Sequence, residues 1–96
     1  MKRGEVLVKA QACIEGDRDE QYGDPNGSFP EIATRWKHYL SKKNCTIIEI
    51  TPFDVAMMMA EFKLARIATS KGKSEDSYID ACGYLAIAAE LFGGDT

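Results

Sequence analysis

The stretch from Ile50 to Ala68, Ile-Thr-Pro-Phe-Asp-Val-Ala-Met-Met-Met-Ala-Glu-Phe-Lys-Leu-Ala-Arg-Ile-Ala, constrains the fold more than any other part of this chain. It opens with a helix-start signature: Thr51 can cap the free amides, Pro52 suits the first helical position, and Asp54 places negative charge at the positive helix end. About five turns follow, apolar nearly all the way round, and a helix of that kind is expected to be buried. It nevertheless carries Asp54, Glu61, Lys63 and Arg66. Charges in a core are costly unless paired or bound. At 100° per residue Asp54 and Glu61 share one face, and Lys63 and Arg66 share another. A buried helix with an acidic and a basic stripe needs partners on both sides.

The rest of the chain supplies helices to surround it. Ninety-six residues allow one domain, spanning 1–96, with a modest core. Residues 3–15 read as a first helix with Val6, Ala10, Cys13 and Ile14 at helical spacing, although Gly4 costs about 1 kcal/mol relative to alanine. The charged run 16–27 ends that helix, because Pro25 disfavours a helical Asp24 and glycines flank the turn. Ser28-Phe29-Pro30-Glu31 reads as a capping box opening a second helix over about 29–42, with Phe29, Ile32, Ala33, Trp36 and Leu40 on one face. Trp36 and Tyr39 are expected as core anchors, and His38 as a surface residue. The β-branched run 44–50 is too short to found a sheet and reads as an extended connector that turns Ile47 or Ile48 inward. The central helix runs from about 52 to 70, with Gly72 as its cap. A last helix starts at Ser74 or Asp76 and ends at Phe92. Its expected apolar stripe is Tyr78, Cys82, Leu85 and Ala89, widened by Ile79, Ala86 and Leu91, and Asp76, Asp80 and Tyr84 form a polar ridge. The fold expected is all-α, a small four-helix bundle completed by oligomerisation, with a neighbouring subunit covering the central helix.

Charge and cysteine content exclude several function classes. A net charge of −3 and a pI near 5.1 give no bulk drive toward nucleic acid or an anionic membrane. Cys13, Cys45 and Cys82 are odd in number and lack zinc-site spacing, so they read as reduced thiols. No apolar run approaches membrane-spanning length and no signal-peptide pattern is visible, so a cytoplasmic protein is expected. One histidine and no nucleophile motif argue against serine or cysteine catalysis.

Two constellations remain. Asp54 and Glu61 on the central helix with Asp76 and Asp80 on the last could bind Mg²⁺, as in all-helical nucleotide pyrophosphohydrolases. The pattern of that class is a Glu-Glu-x-x-Glu run followed by Glu-x-x-Asp, and this chain has neither. The bland alternative pairs the acids with Lys63 and Arg66 as interhelix salt bridges. The second constellation is mixed. Arg18, Lys63 and Arg66 would hold phosphate, Tyr22 and Tyr84 would pack against base or ribose, and Asp76 and Asp80 would accept hydroxyl hydrogen bonds.

One pattern runs through Asp17-Arg18-Asp19-Glu20-Gln21-Tyr22-Gly23-Asp24-Pro25, then Phe29, Ile32-Ala33 and Trp36. It continues through Ile50-Thr51-Pro52-x-Asp54-Val55-Ala56-x-Met58-Met59, Lys63-x-Ala65-Arg66, Asp76-Ser77-Tyr78-x-Asp80 and Gly83-Tyr84. In this pattern the chain resembles a family of small phage and prophage proteins of unknown function, and the resemblance covers residues 14–92. The resemblance implies a phage origin and carries no activity of its own. Its polar positions coincide with the residues that are awkward to bury. The expectation that follows is an oligomeric phage protein binding a small nucleotide-like ligand without hydrolysis, in the manner of proteins that sequester a nucleotide-derived host immune signal. No cofactor is expected. The alternatives are a Mg²⁺-dependent nucleoside triphosphate pyrophosphohydrolase of the MazG-like kind, using Asp54, Glu61, Asp76 and Asp80, and a protein-binding phage accessory factor.

Overall fold

A computed structural model describes residues 1–15 and 27–93. Those residues form four helices and no strand: α1 (Arg3–Glu15), α2 (Ser28–Asn44), α3 (Pro52–Thr69) and α4 (Glu75–Gly93). The all-α reading and the four helix positions agree with the sequence pattern to within two residues at most ends. The helix starts differ in their chemistry. At α3 the capping box is complete. The Asp54 amide donates to Thr51 Oγ1 at 3.2 Å, and the Thr51 amide donates to the Asp54 carboxylate at 2.9 Å. At α2 the expected Ser28–Glu31 box does not form. The helix begins one residue earlier than the box requires, Gly27 occupies the cap position without a side-chain bond, and the Glu31 carboxylate takes the Arg35 guanidinium at 3.1 Å. A basic residue four positions on competes successfully for an exposed carboxylate.

Two helix ends use left-handed backbone. Cys45 closes α2 at φ 55°, and Lys71 and Gly72 reverse the chain after α3 at φ 57° and 81°. The Gly72 amide reaches back to the Ile67 carbonyl at 2.8 Å, satisfying an orphan carbonyl of the last turn. In the connector, Ile48 bonds the Ser41 hydroxyl through its amide at 2.9 Å and lies half-buried, while Ile47 points to solvent.

Helix α4 packs along α3 and also against α1, and α2 lies on α3. The core joins Ala10 and Cys13 of α1, Phe29 and Ala33 of α2, Val55, Ala56 and Ala60 of α3, and Ile79, Tyr84, Ile87 and Ala88 of α4. Phe29 is 2% exposed and stacks on Tyr84 with ring centroids 6.4 Å apart. Trp36 packs against this core as expected, but Tyr39 is exposed and is not part of the core of the described residues.

Two expectations about burial are overturned. The central helix is not buried all round: Met57, Met58, Phe62 and Leu64 are exposed. The faces of α4 are also only partly those expected. Ile79 of the widened stripe is buried, Cys82 and Leu91 pack against the core and Asp76 of the polar ridge is exposed, but the remaining positions are exchanged. Tyr78, Leu85 and Ala89 of its apolar stripe face solvent, while Asp80 and Tyr84 of its polar ridge are buried. The reason lies across the interface, where Lys63 offers Asp80 a partner and Phe29 offers Tyr84 a ring. A paired polar face can therefore occupy the core.

Candidate functional site

Lys63 and Asp80 meet between α3 and α4. The ammonium lies 3.0 Å from Asp80 Oδ2, and the side chains are 17% and 9% exposed. Two positions that the sequence singled out separately are thus one ion pair. Part of the salt-bridge alternative is realised here, and Asp80 and Tyr84 each make further interactions beyond those named. Such a pair fixes the register of two helices, because a slip of one turn would leave a charge buried without its partner.

Arg66 lies one turn further along α3 and points out of the core. Its guanidinium sits 5.9 Å from the Phe62 ring centroid, and the Lys63 ammonium lies 5.4 Å from the same ring. Beyond Arg66 the chain reverses through Thr69-Ser70-Lys71-Gly72-Lys73-Ser74 into α4. Arg66, Thr69, Ser70 and Ser74 line an open notch of about 280 Å³. The hydroxyls around it are held in place. Ser70 Oγ donates to the Ile67 carbonyl and accepts the Ser74 amide, both at 3.0 Å, and the Thr69 hydroxyl donates to the Arg66 carbonyl at 3.3 Å. Ser74 and the buried Ser77 share a hydroxyl hydrogen bond of 2.7 Å. The Thr69 and Ser70 protons are committed to backbone carbonyls, and the cations at the notch are the Arg66 guanidinium with Lys71 and Lys73 on the same turn, Glu75 and Asp76 opposing them.

The sequence-predicted set is therefore divided. Lys63, Asp80 and Tyr84 are interior, Arg66 lines the notch, and Asp76 is exposed on the first turn of α4. Arg18 and Tyr22 lie outside the described residues. Thr69, Ser70 and Ser74 were missed by sequence reasoning, although the run of hydroxyls and lysines around Gly72 was a visible signal. Among the acids proposed for a metal, Asp54 is engaged in the α3 cap, Asp80 faces Lys63, and Glu61 and Asp76 are exposed on different helices. No three His, Cys, Asp or Glu side chains converge on a metal-sized space among the described residues. A second, larger depression of about 550 Å³ lies at the end of α2, lined by His38, Ser41, Lys42, Cys45, Thr46 and Ile47. It brings together no residue of the predicted set.

Residues 5–92 match a domain of unknown function, DUF6378. The chain belongs to this family. It is 34% identical over 87 residues to the gene 55 protein of Mycobacterium phage D29, a match covering 91% of this chain and 53% of that protein. It is 35% identical over 86 residues to the gene 55 protein of Mycobacterium phage L5, covering 90% and 51% respectively. The chain thus spans about half the length of the curated relatives it matches. No solved structure matches it. Like its DUF6378 relatives it is a phage-type protein of unknown function, and no helix among the described residues is long and apolar enough to cross a membrane.

Proposed function

We propose that the protein is a phage accessory factor that binds a small phosphate-bearing, nucleotide-like molecule and does not turn it over. The observation that carries this reading is the notch at the α3–α4 turn, where Arg66 stands beside positioned hydroxyls and next to the positive end of α4. Arginine's planar fork suits phosphate, and a helix N-terminus favours negative charge. Exposed Phe62, flanked by Lys63 and Arg66, offers an aromatic face that a base could share with the two cations. Lys63 and Asp80 serve in this reading as positioning residues, fixing the turn of α3 from which Arg66 projects. The phage origin of the relatives fits capture of a host nucleotide signal.

Native mass spectrometry of the full chain against a panel of linear and cyclic nucleotides, with and without Mg²⁺, tests the reading. The expected result is an adduct of unchanged ligand mass that is independent of Mg²⁺ and weakened at least tenfold by Arg66→Ala, with helicity preserved. Mg²⁺-dependent appearance of products lighter than the nucleotide would move the assignment to the pyrophosphohydrolase. Absence of any adduct in a folded protein would overturn nucleotide binding altogether.

A further inference from the structure

We infer that Ser74 is the second anion donor of the α3–α4 notch, beside Arg66, and that the buried Ser77 fixes the Ser74 proton toward the ligand. This rests on the phosphate-binding reading above and names the hydroxyl that acts in it. Three hydroxyls line the notch, those of Thr69, Ser70 and Ser74, and each has one proton to give. The Thr69 hydroxyl gives its proton to the Arg66 carbonyl and the Ser70 hydroxyl to the Ile67 carbonyl. Neither has a proton left for a ligand.

The third proton is settled by burial. Ser74 Oγ and Ser77 Oγ lie 2.7 Å apart, and one of them must donate to the other. Ser77 is 2% exposed, whereas Ser74 is half-buried at the wall of the notch. Among the described residues, Ser74 is the hydrogen-bond partner of the Ser77 hydroxyl. Were Ser74 the donor, the Ser77 proton would be buried without an acceptor, and its lost hydration would go uncompensated. With Ser77 as the donor, only a lone pair stays vacant in the interior, which is tolerated better than an orphaned donor. Ser77 therefore donates to Ser74, and the Ser74 proton is left on the side of the notch.

The two hydroxyls then form a chain running one way, from Ser77 through Ser74 to the open space, and each bond polarises the next. A hydroxyl that donates to an ionised oxygen makes a stronger bond than one that donates to a neutral oxygen. The Ser74 amide donates to Ser70 Oγ at 3.0 Å, which fixes the backbone from which the Ser74 side chain projects. Arg66 stands on α3 and Ser74 at the entry to α4, so an anion held by both ties the two helices together. Lys71 and Lys73 favour an anion here and Glu75 and Asp76 oppose it, two charges of each sign. The group that suits a guanidinium and a hydroxyl proton lining one space is an oxyanion, the phosphate of a nucleotide and not its sugar.

Titration of the full chain with inorganic phosphate and with adenosine 5′-monophosphate, followed by amide NMR shifts around Arg66 and Ser74, tests this, with thermal melting as the folding control. The wild type is expected to bind both probes. Ser74→Ala should weaken both by about fivefold or more, and Ser74→Thr, which keeps the hydroxyl, should stay within about twofold of wild type. Ser77→Ala leaves the Ser74 proton without its fixed direction and should weaken binding by about two- to threefold. Should Ser74→Ala fail to fold, Ser74→Cys, which puts a weak donor in the same place, replaces it. Binding that is lost in Arg66→Ala but unchanged in Ser74→Ala would overturn the inference and leave the phosphate reading in place. Equal losses in Ser74→Ala and Ser74→Thr would overturn it too, because the hydroxyl would then not be the feature that matters. Failure of the folded wild type to bind either probe would overturn both the inference and the reading beneath it.

Discussion

The inner and outer faces of the α3–α4 hairpin are built from the same two helices and contrast in composition. The inner face holds the ionisable pair Lys63–Asp80 together with Ser77 and Tyr84, among Val55, Ala56 and Ala60. The outer face presents Met57, Leu64, Leu85 and Phe92 to solvent. Hydrophobicity alone would assign these faces the other way round. What differs is the availability of partners within the chain. Lys63 and Asp80 pair across the two helices, Tyr84 stacks on Phe29 and Ser77 bonds Ser74, while Phe92 meets Phe53 and Met57, Leu64 and Leu85 stay exposed. Burial in this protein follows complementarity, and the apolar surplus stays at the surface.

The largest expected effect comes from removing the aromatic lid of the inner face. Phe29 is fully buried against Tyr84, so Phe29→Ala should lower the free energy of unfolding by about 3–5 kcal/mol. Urea denaturation followed by circular dichroism measures this directly. A loss below about 1 kcal/mol would mean that the inner face collapses around the gap and that the contrast between faces is weaker than drawn.

The ion pair ranks next. Asp80→Ala leaves a largely buried ammonium without its carboxylate and should cost about 3 kcal/mol by the same measurement. Lys63→Met combined with Asp80→Leu should recover most of that loss, because two well-packed apolar side chains replace a buried pair at little net cost. If the double variant is as unstable as the single, the pair contributes more than mutual compensation and the inner face is specifically polar. The double variant also probes the proposed ligand site: if Lys63 acts only by holding α3 in register, nucleotide binding at Arg66 should survive it.

The helices themselves were legible in the sequence because their ends are written locally. Thr51, Pro52 and Asp54 specify the start of α3 whatever it packs against, and its end falls two residues before the expected Gly72, with Ser70 as the cap and Lys71 and Gly72 reversing the chain. The core-facing positions of α1 and α2 were legible from helical spacing: Val6, Ala10 and Cys13, like Phe29 and Ala33, recur on one side of their helices, although α1 also exposes Leu7 and Val8 on the other. The orientation of α4 was not legible. Both its stripes have helical periodicity, and the choice between them depends on Lys63 and Phe29, which lie 17 and 55 residues from their mates at Asp80 and Tyr84. The notch was half legible. Arg66 stood out as a charge on an apolar helix, while Thr69, Ser70 and Ser74 looked like an ordinary turn until the reversal brought them around one space.

A smaller effect bears on both faces at once. Thr51→Ala removes the acceptor of the Asp54 amide at the start of α3 and should cost about 1 kcal/mol. Because the cap secures the helix rather than either side of it, thermal melting should show this loss at every protein concentration. A loss confined to high concentration would tie the start of α3 to association and place Phe53 and Met57 under more demand from the outer face than from the inner.

The smallest expected effect on the isolated chain belongs to the outer face, and it is the most discriminating. Leu85 is 48% exposed, so Leu85→Ser should change the stability of a single folded chain by no more than about 0.5 kcal/mol. Stability drawn from association is different in kind, since it scales with protein concentration: a partner that binds only the folded state raises the melting temperature as its concentration exceeds the dissociation constant. A wild-type melting temperature that rises with concentration, beside a Leu85→Ser temperature that does not, would show that this face binds a second copy. Wild-type curves that coincide at all concentrations would show that it contributes nothing in that way. If Leu85→Ser falls well below the wild type even when dilute, the side chain supports its own chain after all, and the division between an inward-satisfied and an outward-exposed face would have to be withdrawn.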